Sequence, residues 1–376
     1  RKSHVKLNRI ARVGAVAAVA VLSLSACAAN EGTPAGSSGQ PSDGGSSLSG
    51  TVKATGASSQ GAAQQAWTAA FQTANPDVTV NYQPTGSGTG RDNFIAGSSN
   101  FIGSDRAYKT DEIAAGKFGA CATSDIIEVP AYISPVAVVF NLDGIKELNL
   151  TPEVIGNIFN EKIEKWNDPA IADLNEGVEL PDLAITPVFR GDESGTTGTF
   201  TAYLASVAPD AWPYEDDDAW PVKTKRSEAA QQTSGVEATV NGGKGTIGYI
   251  DASRVGELGS AAIKVGDDFV PFSSEAAAEL VASSPLEEGR ADGDLVFDVD
   301  PAKAPAGSYP IALVSYLIGC AQYEKPETAD IVKAYFSYIV SEEGQKVANE
   351  AAGSAPLSTE VAEKAQTAID MISAKK

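Results

Sequence analysis

Histidine is almost missing from this chain: 376 residues hold one, His4, close to the N-terminus. Ser-His-Asp and Cys-His catalysis therefore have no imidazole to use in the rest of the chain, and His-containing zinc sites have no ligand. An enzyme built on it would have to work through carboxylates or lysine. Positive charge is also scarce, with 28 Lys and Arg against 49 Asp and Glu and a formal net charge of −21. Such a surface repels nucleic acid and anionic lipid, so neither is an expected partner. An anion bound here must be held by short-range hydrogen bonds in a closed site, not drawn in from a distance. Long apolar runs are lacking too. The run over residues 14–26 falls short of the roughly 20 residues that a membrane-spanning helix needs.

What stands at the N-terminus is a basic stretch (Arg1, Lys2, Lys6, Arg9, Arg12) followed by that apolar run, the order of a secretory signal over residues 1–26. Removal of this segment would take His4 with it and make the remainder more acidic. The sequence Leu24-Ser25-Ala26-Cys27 resembles the bacterial lipobox. The resemblance implies that Cys27 is diacylated and becomes the first mature residue, anchoring the protein to a membrane. A plain cleaved signal with an incidental Cys27 is the alternative. The stretch up to residue 48 is Gly, Ser and Pro with almost no large apolar side chains, a tether with a reach on the order of 25 Å. Cys121 and Cys320 remain, an even pair in an oxidising compartment. One disulfide is the simplest reading and two buried free thiols the other.

The remaining roughly 325 residues exceed what one core usually serves, so two domains are expected. Short β-branched runs alternate with Ala-rich amphipathic stretches, the pattern of an α/β protein. A strand from Val52, a helix over 60–74, a strand over 78–82 and helical stretches near 91–96 and 111–117 follow one another, and a long helix is predicted over 329–350. Residues 131–142 and 309–318 form two long apolar extended segments. Two crossings between lobes would give this pattern, with lobe 1 over 49–131 plus 312–376 and lobe 2, over 132–311, inserted between them.

Three small-residue turns share one position, each after a strand and at the start of a helix. They are Thr55-Gly56-Ala57-Ser58-Ser59-Gln60, Thr85-Gly86-Ser87-Gly88-Thr89-Gly90 and Arg190-Gly191-Asp192-Glu193-Ser194-Gly195-Thr196-Thr197. Small residues let backbone approach a ligand, and the free N–H groups and dipole of a helix start face it. Hydroxyls add donors, and Arg190 adds a planar fork suited to a tetrahedral oxyanion. Any one loop could be an ordinary helix cap. The spacing in residues 86–90 is not that of a dinucleotide loop, and Gly243-Lys244-Gly245 lacks the Ser or Thr of a phosphate loop.

Thr85-Gly-Ser-Gly-Thr-Gly90, Gly103-Ser-Asp105, Ile163-Glu-Lys-Trp-Asn-Asp168 and Arg190-Gly-Asp-Glu-Ser-Gly-Thr196, in this order and spacing, resemble the phosphate-binding protein of the high-affinity bacterial phosphate importer. The likeness runs from about residue 48 to the C-terminal helix and takes in Thr246-Ile-Gly-Tyr249 and Gly353-Ser-Ala-Pro-Leu357. It implies a two-lobed, type II periplasmic-binding-protein fold: two mixed sheets flanked by helices, with inorganic phosphate in the cleft and an ABC-importer permease as partner. By position, Ser58, the Ser59 backbone, Ser87 and Asp105 would hold phosphate from the first lobe. Arg190, Ser194, Gly195 and Thr196 would hold it from the second, with Asp192 orienting Arg190. Ser58 stands where some members have Thr, and Ser59 where a bulky residue is common. The resemblance implies no cofactor, no catalytic residue and no metal, and a monomer is expected.

Asp105 carries the chemical argument. A carboxylate beside a dianion repels it unless the ligand supplies a proton between them, and at neutral pH phosphate has one where sulfate does not. Such a charge-assisted bond is worth about 1.5 to 3 kcal/mol, and a total difference of about 4 kcal/mol would discriminate on the order of a thousandfold. A receptor for another small oxyanion or a phosphoester is the alternative within the same fold. A phosphatase using Ser194 or Asp192 as nucleophile would lack a histidine base.

Overall fold

The computed structural model describes residues 48–376. The signal segment, Cys27 and nearly all of the tether expected above lie outside the described residues. The chain folds into two mixed α/β layers joined along one strand. The first sheet has the spatial order Val78–Gln83, Gly50–Gly56, Phe101–Ser104, Ala312–Cys320, Ile126–Phe140. Its first three strands are parallel and the last two antiparallel to their neighbours. In the second sheet, the end of Ile126–Phe140 from Val136 onward pairs with Thr246–Asp251, followed by Thr186–Arg190 and Glu228–Ala230. The other edge adds Gly259–Val265, with Glu147–Leu150 and Asp268–Val270 beside it.

Every residue of Ile126–Phe140 and of Ala312–Cys320 is buried, which explains why both read as unbroken apolar runs rather than alternating ones. The two strands pair along most of their length, with a register shift at Ser315/Tyr316. Cys320, at the end of its strand, is disulfide-bonded to Cys121.

The helix Gly61–Ala74 turns Ala63, Trp67 and Phe71 inward at helical spacing. The Trp67 indole N–H donates to the Gly344 carbonyl at 2.7 Å, and Phe71 packs edge-on against Tyr335 with centroids 5.1 Å apart. Aromatic side chains also fill the second layer, where Phe200 stacks on Tyr249 at 4.4 Å and Phe159 meets Phe200 at 4.8 Å. Burial of each such side chain stabilises the fold by roughly 1.5–3 kcal/mol.

The single helix expected over 329–350 is two, Pro326–Val340 and Glu342–Ala352. Ser341 breaks it: its backbone is extended, and its hydroxyl accepts the Gly344 N–H at 3.1 Å, an N-cap reinforced by Glu342 and Glu343 in the first turn. A hydrophobic pattern that continues across a cap looks like one helix in sequence.

Candidate functional site

Each of the three small-residue turns lies where a strand gives way to a helix. Gly50–Gly56 runs into Gly61–Ala74, Val78–Gln83 into Ser87–Ile95, and Thr186–Arg190 into Gly195–Val207. The first amides of a helix have no intrahelical acceptor, so each turn presents backbone donors. The turns meet. The Gly88 N–H donates to the Glu193 carbonyl at 3.2 Å, and the Gly86 N–H to the Gly56 carbonyl at 2.9 Å. Two glycines are required by this closeness. A Cβ on Gly195 would lie 2.3 Å from the Asp105 Cβ, and one on Gly86, which has φ +98°, would lie 2.6 Å from an Asp192 oxygen.

Asp105 is buried at the centre of the cradle and is held by neutral hydroxyls. Ser59 and Ser315 donate to its Oδ1 at 2.5 and 2.6 Å, and Thr196, at the start of the helix Gly195–Val207, donates to its Oδ2 at 3.2 Å. Its backbone N–H donates to the Ser87 hydroxyl at 3.1 Å. Burial pushes the Asp105 carboxyl above its ordinary value, while the Ser315 and Ser59 hydroxyls, the Arg190 charge and the Thr196 hydroxyl pull the other way.

Arg190 is 2 % exposed and held differently. Its Nε donates to Asp192 Oδ1 at 2.8 Å and its Nη2 to Asp192 Oδ2 at 2.5 Å, a bidentate pair within one turn. Asp192 Oδ1 also accepts the Gln232 N–H at 3.0 Å. Behind the guanidinium, the Arg190 N–H donates to the Tyr249 hydroxyl, which is 2.8 Å from Thr197 Oγ1.

The structure therefore brings Ser59, Ser87, Asp105, Gly195 and Thr196 into one buried contact network, with Arg190 and Asp192 against Gly86. Ser194 caps the helix Gly195–Val207, its hydroxyl accepting from Thr197 N–H. Ser58 is only half-buried and faces across to Thr233, with hydroxyl oxygens 2.9 Å apart and its Oγ accepting the Thr233 N–H at 3.1 Å. Ser59 was expected to act through its backbone, yet its hydroxyl is engaged too.

Some participants escaped sequence reading. Arg91, in the helix Ser87–Ile95, and Arg106 both donate to Asp218 Oδ2, more than a hundred residues along the chain, at 2.5 and 3.1 Å, forming a largely buried triad. The Ser194 N–H donates to the Asp218 carbonyl at 2.9 Å. Nothing in an isolated Asp-rich stretch (216–218) marks one member as buried. Ser315 did leave a signal, as the one small polar residue in the apolar run 309–318. A cavity of about 520 Å³ opens beside Asp105, with Arg91, Arg106, Lys109 and Arg290 among its walls. Among the described residues no group of three or more His, Cys, Asp or Glu is arranged to hold a metal ion.

Comparison with known proteins places this geometry in a lineage. A profile of the PBP superfamily domain matches residues 41–343. Phosphate-binding protein PstS3 of Mycobacterium bovis is 34% identical over 341 residues, covering 88% of this chain and 90% of that protein. Phosphate-binding protein PstS of Pasteurella multocida is 33% identical over 293 residues, covering 76% and 80%. In three dimensions the chain is similar to a phosphate-binding protein from Stenotrophomonas maltophilia, with TM-score 0.65 and 18% identity over 85% of this chain and 94% of the other. It is likewise similar to the high-affinity periplasmic phosphate-binding protein PfluDING, with TM-score 0.69 and 18% identity over 85% and 93%. The structural likenesses bear on the two-lobed fold and the sequence relatives on descent: the chain belongs to the PBP superfamily and, within it, to the PstS phosphate-binding proteins.

Proposed function

We propose that this chain captures inorganic phosphate between its lobes and delivers it to the permease of an ABC-type importer, without turnover. The observation that carries the reading is the pairing in one buried cradle of Asp105, a carboxylate held by hydroxyls, with Arg190, whose fork is fixed by Asp192. Monohydrogen phosphate suits both. It accepts from Arg190, from the Ser87, Ser194 and Thr196 hydroxyls and from the amides of Ser59, Gly195 and Thr196, with Ser58 at the rim. Its own proton goes to Asp105, which sulfate cannot match. Thr196 would then turn from Asp105 Oδ2 to the ligand, freeing that oxygen for the phosphate O–H.

The lobes are assigned as 49–131 plus 312–376 and 132–311, with closure of the two on phosphate as the signal to the permease. The shared strand Ile126–Phe140, which changes sheet near Val136, supports a hinge close to the first boundary. Cys27 is assigned as the lipidated residue of an extracytoplasmic, membrane-anchored monomer, on the strength of its lipobox-like setting. The enzymatic reading loses ground on geometry as well as composition, because Ser194 serves as a helix cap and Asp192 as the partner of Arg190. Calorimetric titration of the untethered, ligand-stripped domain tests the proposal. One-to-one phosphate binding without sulfate heat is expected. A folded sample that binds no phosphate, or that turns over a chromogenic phosphoester, contradicts it.

A further inference from the structure

Asp105 is the last acceptor of a buried chain of hydrogen bonds that enters from the helix layer behind the sheet. The Tyr335 hydroxyl donates to Gln64 Oε1 at 2.9 Å, Gln64 Nε2 to Gln60 Oε1 at 2.8 Å, Gln60 Nε2 to the Ser315 hydroxyl at 2.7 Å, and Ser315 to Asp105 Oδ1 at 2.6 Å. Gln60, Gln64, Ser315 and Tyr335 are each at most 1 % exposed. The direction of the chain is forced. Gln60 Nε2 also meets the Tyr316 carbonyl at 3.1 Å, and a carbonyl can only accept, so the Gln60 amide must point its NH₂ there. Its oxygen then faces Gln64 as acceptor, which in turn leaves the Gln64 oxygen for Tyr335. Ser315, having accepted from Gln60, has its proton left for Asp105. The half-buried Thr68 hydroxyl, 3.1 Å from Tyr335, becomes the donor at the outer end. The register shift at Ser315/Tyr316 lies at the point where Ser315 meets Asp105, the kind of irregularity that re-aims a side chain.

We infer that Tyr335, Gln64, Gln60 and Ser315 are positioning residues that hold Asp105 as an ionised acceptor with Oδ2 turned to the ligand, and so set the selectivity for protonated over unprotonated tetrahedral anions. This rests on the phosphate reading above. Aligned bonds polarise one another, so every member favours negative charge on the carboxylate. An Asp105 that gained a proton would carry an O–H of its own and donate it to sulfate, and the discrimination would vanish. The other charged and titratable groups around Asp105 are Arg190, Tyr82, Arg91, Arg106, Glu193 and Tyr316. Arg190, Arg91 and Arg106 are each paired with a carboxylate and none of them bonds to Asp105, so the relay adds to the pull of the Arg190 charge.

The test is phosphate and sulfate titration of wild type, Ser315→Ala and Tyr335→Phe from acid to neutral pH. Loss of one hydroxyl to the carboxylate should weaken phosphate binding by about tenfold. Sulfate binding should appear in Ser315→Ala at a higher pH than in wild type, with a smaller shift in the same direction for Tyr335→Phe, which keeps the ring and its packing. A folded Ser315→Ala protein with the wild-type sulfate profile overturns the inference. If that variant does not fold, an unshifted Tyr335→Phe profile does so. Failure of the wild type to bind phosphate is a different result, and it removes the site reading instead.

Discussion

The two lobes keep a charged side chain buried in opposite ways. On the second lobe Arg190 is neutralised by Asp192, two residues away in the same turn, through two charge-assisted bonds. On the first, Asp105 has no cation bonded to it and relies on hydroxyls from positions 59, 315 and 196. On the proposed reading the first arrangement preorganises a donor whose charge is already compensated and that would take any oxyanion of suitable shape. The second leaves an acceptor that a ligand must satisfy with a proton. On that reading affinity and selectivity fall to different lobes, and closure would combine them.

That division can be broken one lobe at a time. The largest loss is expected from Arg190→Ala, which also leaves the partly buried Asp192 carboxylate without its cation. Truncating one member of such a pair costs about 2–5 kcal/mol, so calorimetry should show phosphate binding weakened at least thirtyfold, with sulfate still rejected. Asp218→Asn comes next. It separates Arg91 and Arg106 from the partner that ties the first lobe to the second, and phosphate affinity should fall by roughly ten- to a hundredfold through a less populated closed form. Small-angle scattering in saturating phosphate would read that opening directly.

Asp105→Asn sharpens the contrast from the other side. Phosphate affinity should fall by only about tenfold while discrimination against sulfate largely disappears, since an amide can donate to either anion. A pH dependence follows for the unaltered protein. The folded Asp105 carboxyl lies above its ordinary value because of burial, so the ligand-free fold binds more protons than the unfolded chain between the two values. Stability without ligand should therefore decline as pH rises through that window. Sulfate rejection should fail as pH falls through the raised value, sooner than an exposed aspartate would allow. The smallest effect on binding is expected from Cys121→Ala/Cys320→Ala. Losing a bridge between residues 199 apart should lower unfolding stability by about 2–5 kcal/mol and leave phosphate affinity unchanged.

The same contrast explains what could be read from the sequence. The strand-turn-helix order, the three small-residue turns and the Arg190–Asp192 pair are local, and each motif contains its own partners. The supports of Asp105 are not local: Ser315 lies 210 residues from it and Thr196 lies 91. Asp218 looks like its neighbours Asp216 and Asp217, and only the folded structure singles it out as the partner of Arg91. The break at Ser341 was hidden for a related reason, because inward-facing residues continue on both sides of a cap whose hydroxyl reaches only to Gly344. Periodicity reports which face is buried and not which polar atoms meet there.

The most direct measurement is a crystal structure of the protein grown with phosphate. The expected result is one anion between the lobes, bonded to the Arg190 guanidinium and the start of helix Gly195–Val207, with one of its oxygens in contact with Asp105 Oδ2 and Thr196 turned toward the ligand. Phosphate bound instead among Arg106, Lys109 and Arg290 in the adjoining cavity, with the Thr196–Asp105 bond intact, would contradict the assignment.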